Sequence, residues 1–310
     1  MQRKIIMYGN RIAILCVALS LIIAGPAQVT AVENKGAGQI ICTGKIVDEQ
    51  GRPIAGAKVS LYQMEYNQAT NIPESKLVSD VKTGADGVFS FKVSAEIDVF
   101  RYGYIVAEKA GLAVGFANWR MRQDEELEIK LGQAKDLGGI VVDESDEPIS
   151  GAEVSIWSLV VGEGRGQQDL GWPVAAELLT STTDQTGRFV FTNIPAEATA
   201  DFIIKKAGKA MICTYRRTGY ANQKMSFGPG QKDIKIVLPV EAKIEGTVVV
   251  KDTGEPVGGV SLIVMQEANR PLPGQSPVST NKDGTFVVNA LPAGSYQVQL
   301  VQSPQGPAEC

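Results

Sequence analysis

The sequence predicts an all-β chain of tandem antiparallel β-sandwich domains behind an N-terminal signal peptide. Three observations predict it. A block of strand-type alternation recurs about every 100 residues, turn residues fall at matching places in each copy, and no helical apolar stripe occurs beyond the leader. A chain of 310 residues suits two or three domains of ordinary size.

The leader comes first. Arg3, Lys4 and Arg11 are basic, Ile12 to Ile23 is an uncharged apolar run, Gly25 and Pro26 break it, and Val29, Thr30 and Ala31 offer small residues for signal peptidase. The run is too short to span a bilayer, which takes roughly 20 apolar residues. Cleavage is therefore expected after Ala31, leaving a mature chain that does not span a membrane. Its location is then periplasmic, cell-surface or secreted. Cys16 is a poor lipid-attachment site because bulky Leu15 precedes it and the apolar run continues past it. Removing residues 1–31 takes away three cations and no acid, so the formal charge moves from −4 to −7 (−4 − 3). That balance argues against nucleic acid and anionic membrane surfaces as partners.

Each copy opens with a strand, a turn and a second strand. Gly44 to Asp48 leads through Gly51, Pro53 and Gly56 to the alternating Ala57, Val59 and Leu61. Gly139 to Asp143 leads through Pro148 and Gly151 to Ala152, Val154 and Ile156. Gly246 to Asp252 leads through Pro256 and Gly259 to Val260, Leu262 and Val264. Asp and Gly accept tight or left-handed backbone, and Pro fixes φ, so these are turns with a mechanism. A second landmark follows: Thr83 to Phe91 with Asp86-Gly87, Thr183 to Phe191 with Gly187, and Thr280 to Val288 with Asp283-Gly284. An Asp-Gly pair between alternating residues predicts a hairpin, with Phe89, Phe91, Phe189, Phe191 and Phe286 facing inward. A third landmark occurs twice, around Lys109-Ala110-Gly111 and Lys206-Ala207-Gly208, each followed by a closing strand ending at Leu131 or Leu238.

The domains are therefore expected at 38–132, 133–239 and 240–310, joined near Gly132-Gln133 and Pro239-Val240. Too few residues follow Val288 for the strands that follow Phe91 and Phe191, so the third copy is expected to be truncated, with unpaired edges.

At these landmarks the chain resembles the carboxypeptidase regulatory-like domain family. The resemblance rests on Gly-x-(Ile/Val)-Val-Asp, then Gly-x-Pro-(Ile/Val)-x-Gly-(Ala/Val)-x-Val-x-(Leu/Ile), and the later Thr-x-x-Asp-Gly-x-Phe, and it covers nearly all of residues 38–300. It implies a prealbumin-like or Ig-like sandwich, related in fold to starch-binding-like and Cna-B-type pilin domains. It further implies non-catalytic accessory units of exported bacterial proteins.

The chain contains no His, which removes Ser-His-Asp and Cys-His catalysis and every His-containing metal site. The reading is accordingly a non-enzyme with no cofactor and no metal. The acidic turns at Asp48-Glu49, Asp143 to Glu147 and Asp252 with Glu255 lack an EF-hand pattern and read as solvated hairpin turns. Gly162 to Gly166 lacks the Lys-Ser/Thr ending of a phosphate loop. It opens a long connection to Pro173, matched by Gln63 to Leu77 and Gln266 to Pro277, and three loops at one end would form a recognition surface. An isopeptide Lys is not expected, because Ile46, Val141 and Val250 stand where it would fall.

Four aromatics are candidate ligand-binding residues: Tyr62, Trp119, Trp157 and Trp172. Tyr62 and Trp157 share a repeat position on the face opposite the core, and Trp119 and Trp172 fall in or near loops. Aromatic faces stack on sugar rings, while packing against a loop or the next repeat is the plainer role. Cys42 and Cys213 align with core positions of the sibling copies and are expected as buried free thiols.

The function expected is a spacer, scaffold or interaction module of the cell envelope. The alternatives are a carbohydrate-binding module protein, whose partner would be a polysaccharide, or the N-terminal accessory region of a larger exported enzyme or receptor. An envelope protein is the other partner class considered.

Overall fold

A computed structural model describes residues 3–6, 39–67, 72–94, 102–121, 123–215, 226–266, 270–272 and 274–301. The apolar run 12–23, the cleavage expected after Ala31, and Cys16 and Cys310 lie outside them. Among the described residues no helix is long and apolar enough to cross a membrane.

Strand β1 is Arg3–Ile6. The first repeat holds β2 (Gln39–Val47), β3 (Lys58–Asn67), β4 (Ile72–Lys82), β5 (Val88–Ser94), β6 (Gly103–Glu108), β7 (Gly115–Trp119) and β8 (Glu125–Lys130). The second holds β9 (Lys135–Val142), β10 (Glu153–Val161), β11 (Gln168–Gly171), the short helix α1 (Val174–Leu178), β12 (Thr180–Thr182), β13 (Arg188–Ile194), β14 (Thr199–Lys205), β15 (Ile212–Cys213) and β16 (Ile234–Val237). The third holds β17 (Ala242–Val249), β18 (Ser261–Gln266), β19 (Arg270–Pro271), β20 (Val278–Ser279), β21 (Thr285–Leu291) and β22 (Tyr296–Leu300).

Each repeat is a two-sheet sandwich. In the first, β5-β2-β8 faces β4-β3-β6-β7; in the second, β13-β9-β16 faces β11-β10-β14-β15, with β12 also on β10. The third pairs β17 with β21, and β18 with β19, β20 and β22. The alternation read from sequence supplies the core. Ala57, Val59 and Leu61 are fully buried, as are Ala152, Val154 and Ile156. Phe89, Phe91, Phe189, Phe191 and Phe286 close the opposite wall. Cys42 and Cys213 are buried free thiols in different repeats.

Three expectations need correction inside this architecture. The sandwiches are not purely antiparallel, because β8 runs parallel to β2 and β16 parallel to β9. The acidic turns close locally as hairpins, with antiparallel bridges Val47–Pro53, Val142–Pro148 and Val249–Pro256. But β2 and β3 belong to different sheets, as do β4 and β5, so both turns then carry the chain across the sandwich and the Asp-Gly turn joins no paired strands. The local residue pattern specifies a tight reversal but not which strand the next one pairs with. Finally, the three long connections are built in part of paired strand. Gln63 to Asn67 continues β3 and pairs residue by residue with Ile72 to Lys76. Val161 to Ser158 pairs with Gln168 to Gly171, and Gln266 pairs with Arg270. Polar residues at period two extend these strands past the core's edge.

The crossing turns are held by one threonine per repeat. The buried Thr83 hydroxyl donates to the Ile54 carbonyl (2.7 Å) and accepts from the Ala57 amide (3.0 Å). Thr183 does the same with Ile149 (2.7 Å) and Ala152 (2.8 Å), and Thr280 with Val257 (2.8 Å) and Val260 (3.0 Å). Beside it, Gly87, Gly187 and Gly284 sit at φ of 73°, 74° and 74°. A Cβ there would meet the Ile46, Val141 or Val248 carbonyl at 2.5–2.6 Å. The glycine is thus required twice, by backbone angle and by space.

The turn aspartates are staples too. Asp143 Oδ1 accepts from the Ser145 and Glu147 amides, at 2.8 and 3.1 Å. Asp184 Oδ1 accepts from the Thr186 hydroxyl and amide and the Arg188 amide. Lys209 lies 3.8 Å from Asp143, Lys235 2.7 Å from Asp146, and Arg52 2.6 Å from Asp48. These carboxylates therefore already face amides and cations. Among the described residues no group of three or more Asp, Glu, Cys or His is placed to hold a metal.

Replacing Thr183 by Val should cost about 1–3 kcal/mol, because the Ala152 amide loses its partner in a dry site. Thr183→Ser should recover most of it, read from denaturant midpoints of the two variants. Donated hydrogen bonds hold the Asp143, Asp184 and Asp283 carboxyls below the ordinary aspartate range. A lowered folded-state pKa gives stability that is present above the unfolded value, about 3.9, and lost as pH falls through the folded value. The melting temperature should therefore fall steeply below about pH 4, and Asp184→Asn should start lower and fall less.

Candidate ligand cleft and the repeat junctions

The four aromatic candidates do not converge. Trp119 ends β7 and is 0% exposed in the first repeat's core, its Nε1 donating to the Gln123 carbonyl at 3.4 Å. No ring face is left for a ligand there. Tyr62 is 4% exposed and packs into the core of the second repeat, with Tyr104, Val106, Val114 and Phe116 beside Leu170, Val174, Ala175 and Leu179.

Trp157 and Trp172 do meet, stacked at 5.2 Å and 13°, with Tyr215 tilted at 6.5 Å from Trp157. Gly274 of the third repeat lies close enough to Ile203, Met211 and Trp157 that a Cβ on it would contact all three, 3.6 Å from the Trp157 ring and 2.2 Å from Ile203 Cδ1. The outer face of each of the first two repeats is thus covered by the next one.

Tyr62 and Trp157 are not structural equivalents either. Leu61 pairs with Ile105 and Tyr62 with Tyr104, whereas Ile156 pairs with Phe202 and the next pair is Ser158 with Asp201. Trp157 is the extra residue of a β-bulge, and Ser158 takes the Tyr62 position. A bulge shifts all later positions by one and leaves no mark in a sequence alignment without gaps.

The two junctions share a hydrogen bond. Val114 N donates to the Asn193 carbonyl at 2.9 Å, and Met211 N donates to the Ala290 carbonyl at 2.9 Å. The preceding residues, Ala113 and Ala210, donate to Gly132 and Pro239 at the expected linkers. In each case the loop after the Lys-Ala-Gly landmark hooks the bulged inner strand of the following repeat.

Beside the first junction lies a cleft of about 460 Å³, lined by Tyr102, Asn118, Arg120, Gln123, Glu125, Gln167 and Gln168. Asn118 positions its floor. Its side chain donates to the Asp169 carbonyl (2.8 Å) and accepts from the Asp169 amide (3.0 Å), while its own amide donates to Gln168 Oε1 (2.8 Å). The clamp joins β7 of one repeat to β11 of the next. Asp169 Oδ1 accepts from Ser158 Oγ at 2.9 Å. Desolvation raises the Asp169 pKa, and the Ser158 hydrogen bond opposes it. Desolvation, then Asp169, raises the Tyr102 pKa, while Arg120 pulls it down. The lining offers amides, a guanidinium, a carboxylate and one phenol, groups that hydrogen-bond a polar ligand. Sequence reasoning missed this cleft because its residues come from two repeats and no local motif joins them. Its only visible trace was the long connection from Gly162 to Pro173, which contributes Gln167 and Gln168.

The sequence profile of the carboxypeptidase regulatory-like domain matches residues 243–308. A search of curated proteins gives no match. Among solved structures, the shaft pilin SpaA from Lactobacillus rhamnosus GG is similar at 11% identity and TM-score 0.26, over 66% of this chain and 98% of that one. A streptococcal ancillary pilin is similar at 16% identity and TM-score 0.26, over 88% and 93%. The 3-chlorocatechol 1,2-dioxygenase from Rhodococcus opacus 1CP is similar at 11% identity and TM-score 0.23, over 33% and 62%. Overlaps of this size carry no argument about function.

Burial pushes the Cys42 and Cys213 thiols up to about 12. A thiol that high is almost wholly protonated at pH 8, and the thiolate is the reactive form. Alkylation of both at pH 8 should be slow in the native chain and fast in urea, followed by peptide mass spectrometry without reductant. A peptide linking Cys42 to Cys213 would contradict the placement of both.

Proposed function

With a third repeat that matches the carboxypeptidase regulatory-like family and two structural siblings before it, we propose that this chain is a non-catalytic extracytoplasmic spacer or scaffold. Its repeats form a stiff row that sets a distance and presents surfaces. The observation that carries this is the repeated junction. Both linkers are reinforced by the same backbone hydrogen bond. At the first, five side chains of one repeat are buried in the core of the next. Burying such side chains stabilises by roughly 1.5–3 kcal/mol each, several times thermal energy, so the joint has little reason to open. Independent domains on a string would instead keep those faces polar.

The location follows from the leader, with processing after Ala31 and delivery to the periplasm, the surface or the medium. The missing His and the compact apolar interiors support the non-catalytic reading.

The polar cleft between the first two repeats favours one second reading, recognition of a polysaccharide. Its amides and Arg120 suit sugar hydroxyls, and Tyr102 is the aromatic that stands by them. This differs from the aromatic platform first expected, because Trp119 and Tyr62 have no free face.

Small-angle scattering with NMR relaxation tests the stiff row. The first two repeats should tumble as one body. Val114→Pro, which removes the donor to Asn193, together with Phe116→Asp should release them. Equal, independent tumbling in the unaltered chain would rule the spacer out. A glycan array on the same chain reads the second reading, and binding abolished by Arg120→Ala would support it.

A further inference from the structure

We propose that the edge of β17 is a strand-acceptor site and that its occupant is Arg3–Ile6 of this same chain. The N-terminal segment supplies the third repeat with the closing strand that its siblings carry themselves.

The evidence is a threefold identity of register. In the first repeat, β8 lies parallel to β2, with Gly44 opposite Leu127, Lys45 opposite Glu128, Ile46 opposite Ile129 and Val47 opposite Lys130. In the second, β16 lies parallel to β9, with Gly139, Ile140, Val141 and Val142 opposite Ile234 to Val237. In the third, Gly246, Thr247, Val248 and Val249 stand opposite Arg3, Lys4, Ile5 and Ile6, again parallel. The glycine, the strand direction and all four positions coincide. Ile5 therefore holds the position of Ile129 and Ile236, which are 2% and 1% exposed. Its partner Val248, like Ile46 and Val141, is 0% exposed.

Nothing local explains this placement. Arg3–Ile6 is separated from β17 by the first two repeats, and a parallel strand needs a long connection in any case. Among the described residues no segment after β22 takes the position. The strand β22 pairs with β18 as β6 pairs with β3 and β14 with β10. It is therefore the counterpart of the Lys-Ala-Gly landmark strand of the first two repeats. The third repeat has its own counterparts of β2 to β6, and the closing position is filled from the far end of the chain.

An open sheet edge is a template for any extended segment with the right pattern. Here the pattern is an apolar residue two positions after the one opposite Gly246. If the leader is processed as the export reading holds, the occupant leaves with it. The β17 edge then opens to a strand of that pattern only in the processed protein. That consequence rests on the export reading; the acceptor itself does not.

Hydrogen exchange on the full chain tests the assignment. In the unaltered protein the Gly246–Val249 amides should exchange slowly. Ile5→Asp should speed them by at least about tenfold, the mark of a locally opened edge, while Lys4→Asp should leave them slow. Amides of Val141 and Val142 serve as the internal control. A chain lacking residues 1–8 reads the same edge without a new charge. Adding a synthetic peptide of residues 1–8 to it should restore protection, and a scrambled peptide should not. Unchanged exchange in both altered chains would overturn the proposal, as would equal rescue by the scrambled peptide. Mixing light and heavy chains and cross-linking Lys4 separates donors: light–heavy products would assign the strand to a second copy and overturn the in-chain occupant.

Discussion

One buried threonine per repeat ties two reversals of the chain to each other, and the sandwich is organised around it. Thr83, Thr183 and Thr280 each bond a carbonyl just past the first turn and an amide at the start of the next strand. Both partners are backbone groups that the crossing leaves without a ladder partner. A chain that leaves one sheet for the other must break its ladder, and a broken ladder buried away from water is costly. The hydroxyl, at once donor and acceptor, satisfies both ends. With that point fixed, the inward residues on both sides have only one register open to them.

From this unit the larger assembly follows by repetition. The sheet carrying β3 or β10 is buried on both faces, inside by its own partner sheet and outside by the next repeat. This explains why Ser60 and Ser155 are buried although they lie opposite the core residues. Ser155 accepts from the Thr180 hydroxyl of the same repeat at 2.7 Å. The junctions differ in their covering element, helix α1 and its flanks in one and the turn around Gly274 in the other. They keep the same backbone hook. A linker of only four residues, 131–134 or 238–241, backed by such a hook favours a fixed angle between neighbours over free hinging.

The β17 edge and the junctions bear on one another through strand pairing. A β-rich array must dispose of its sheet edges. The first two repeats close theirs with strands from their own sequence, and the third takes one from a distance. The acidic turns serve the same economy on a smaller scale, bonding their own amides and neighbouring cations.

The repeat pattern, the inward faces, the buried cysteines and the all-β class were determined by the sequence alone, because alternation and turn chemistry are local and survive in a linear reading. Gly44, Gly139 and Gly246 open three recognisable copies for that reason. Which strand pairs with which was decided only by tertiary structure. The Asp-Gly turns look like hairpins in sequence, yet each one changes sheets, since pairing is set by how two apolar faces close on each other. Alignment also placed Val250 with Ile46 and Val141, whereas the third turn is one residue longer and Val248 is the buried counterpart, with Val250 38% exposed. Trp157 drifted from Tyr62 through a bulge, and Trp119 sank into the core. The cleft of Asn118, Arg120 and Gln168 joins residues about 50 positions apart, and β1 joins residues more than 240 apart. No local pattern encodes such distances; they arise when separate faces and edges find the partner that buries them.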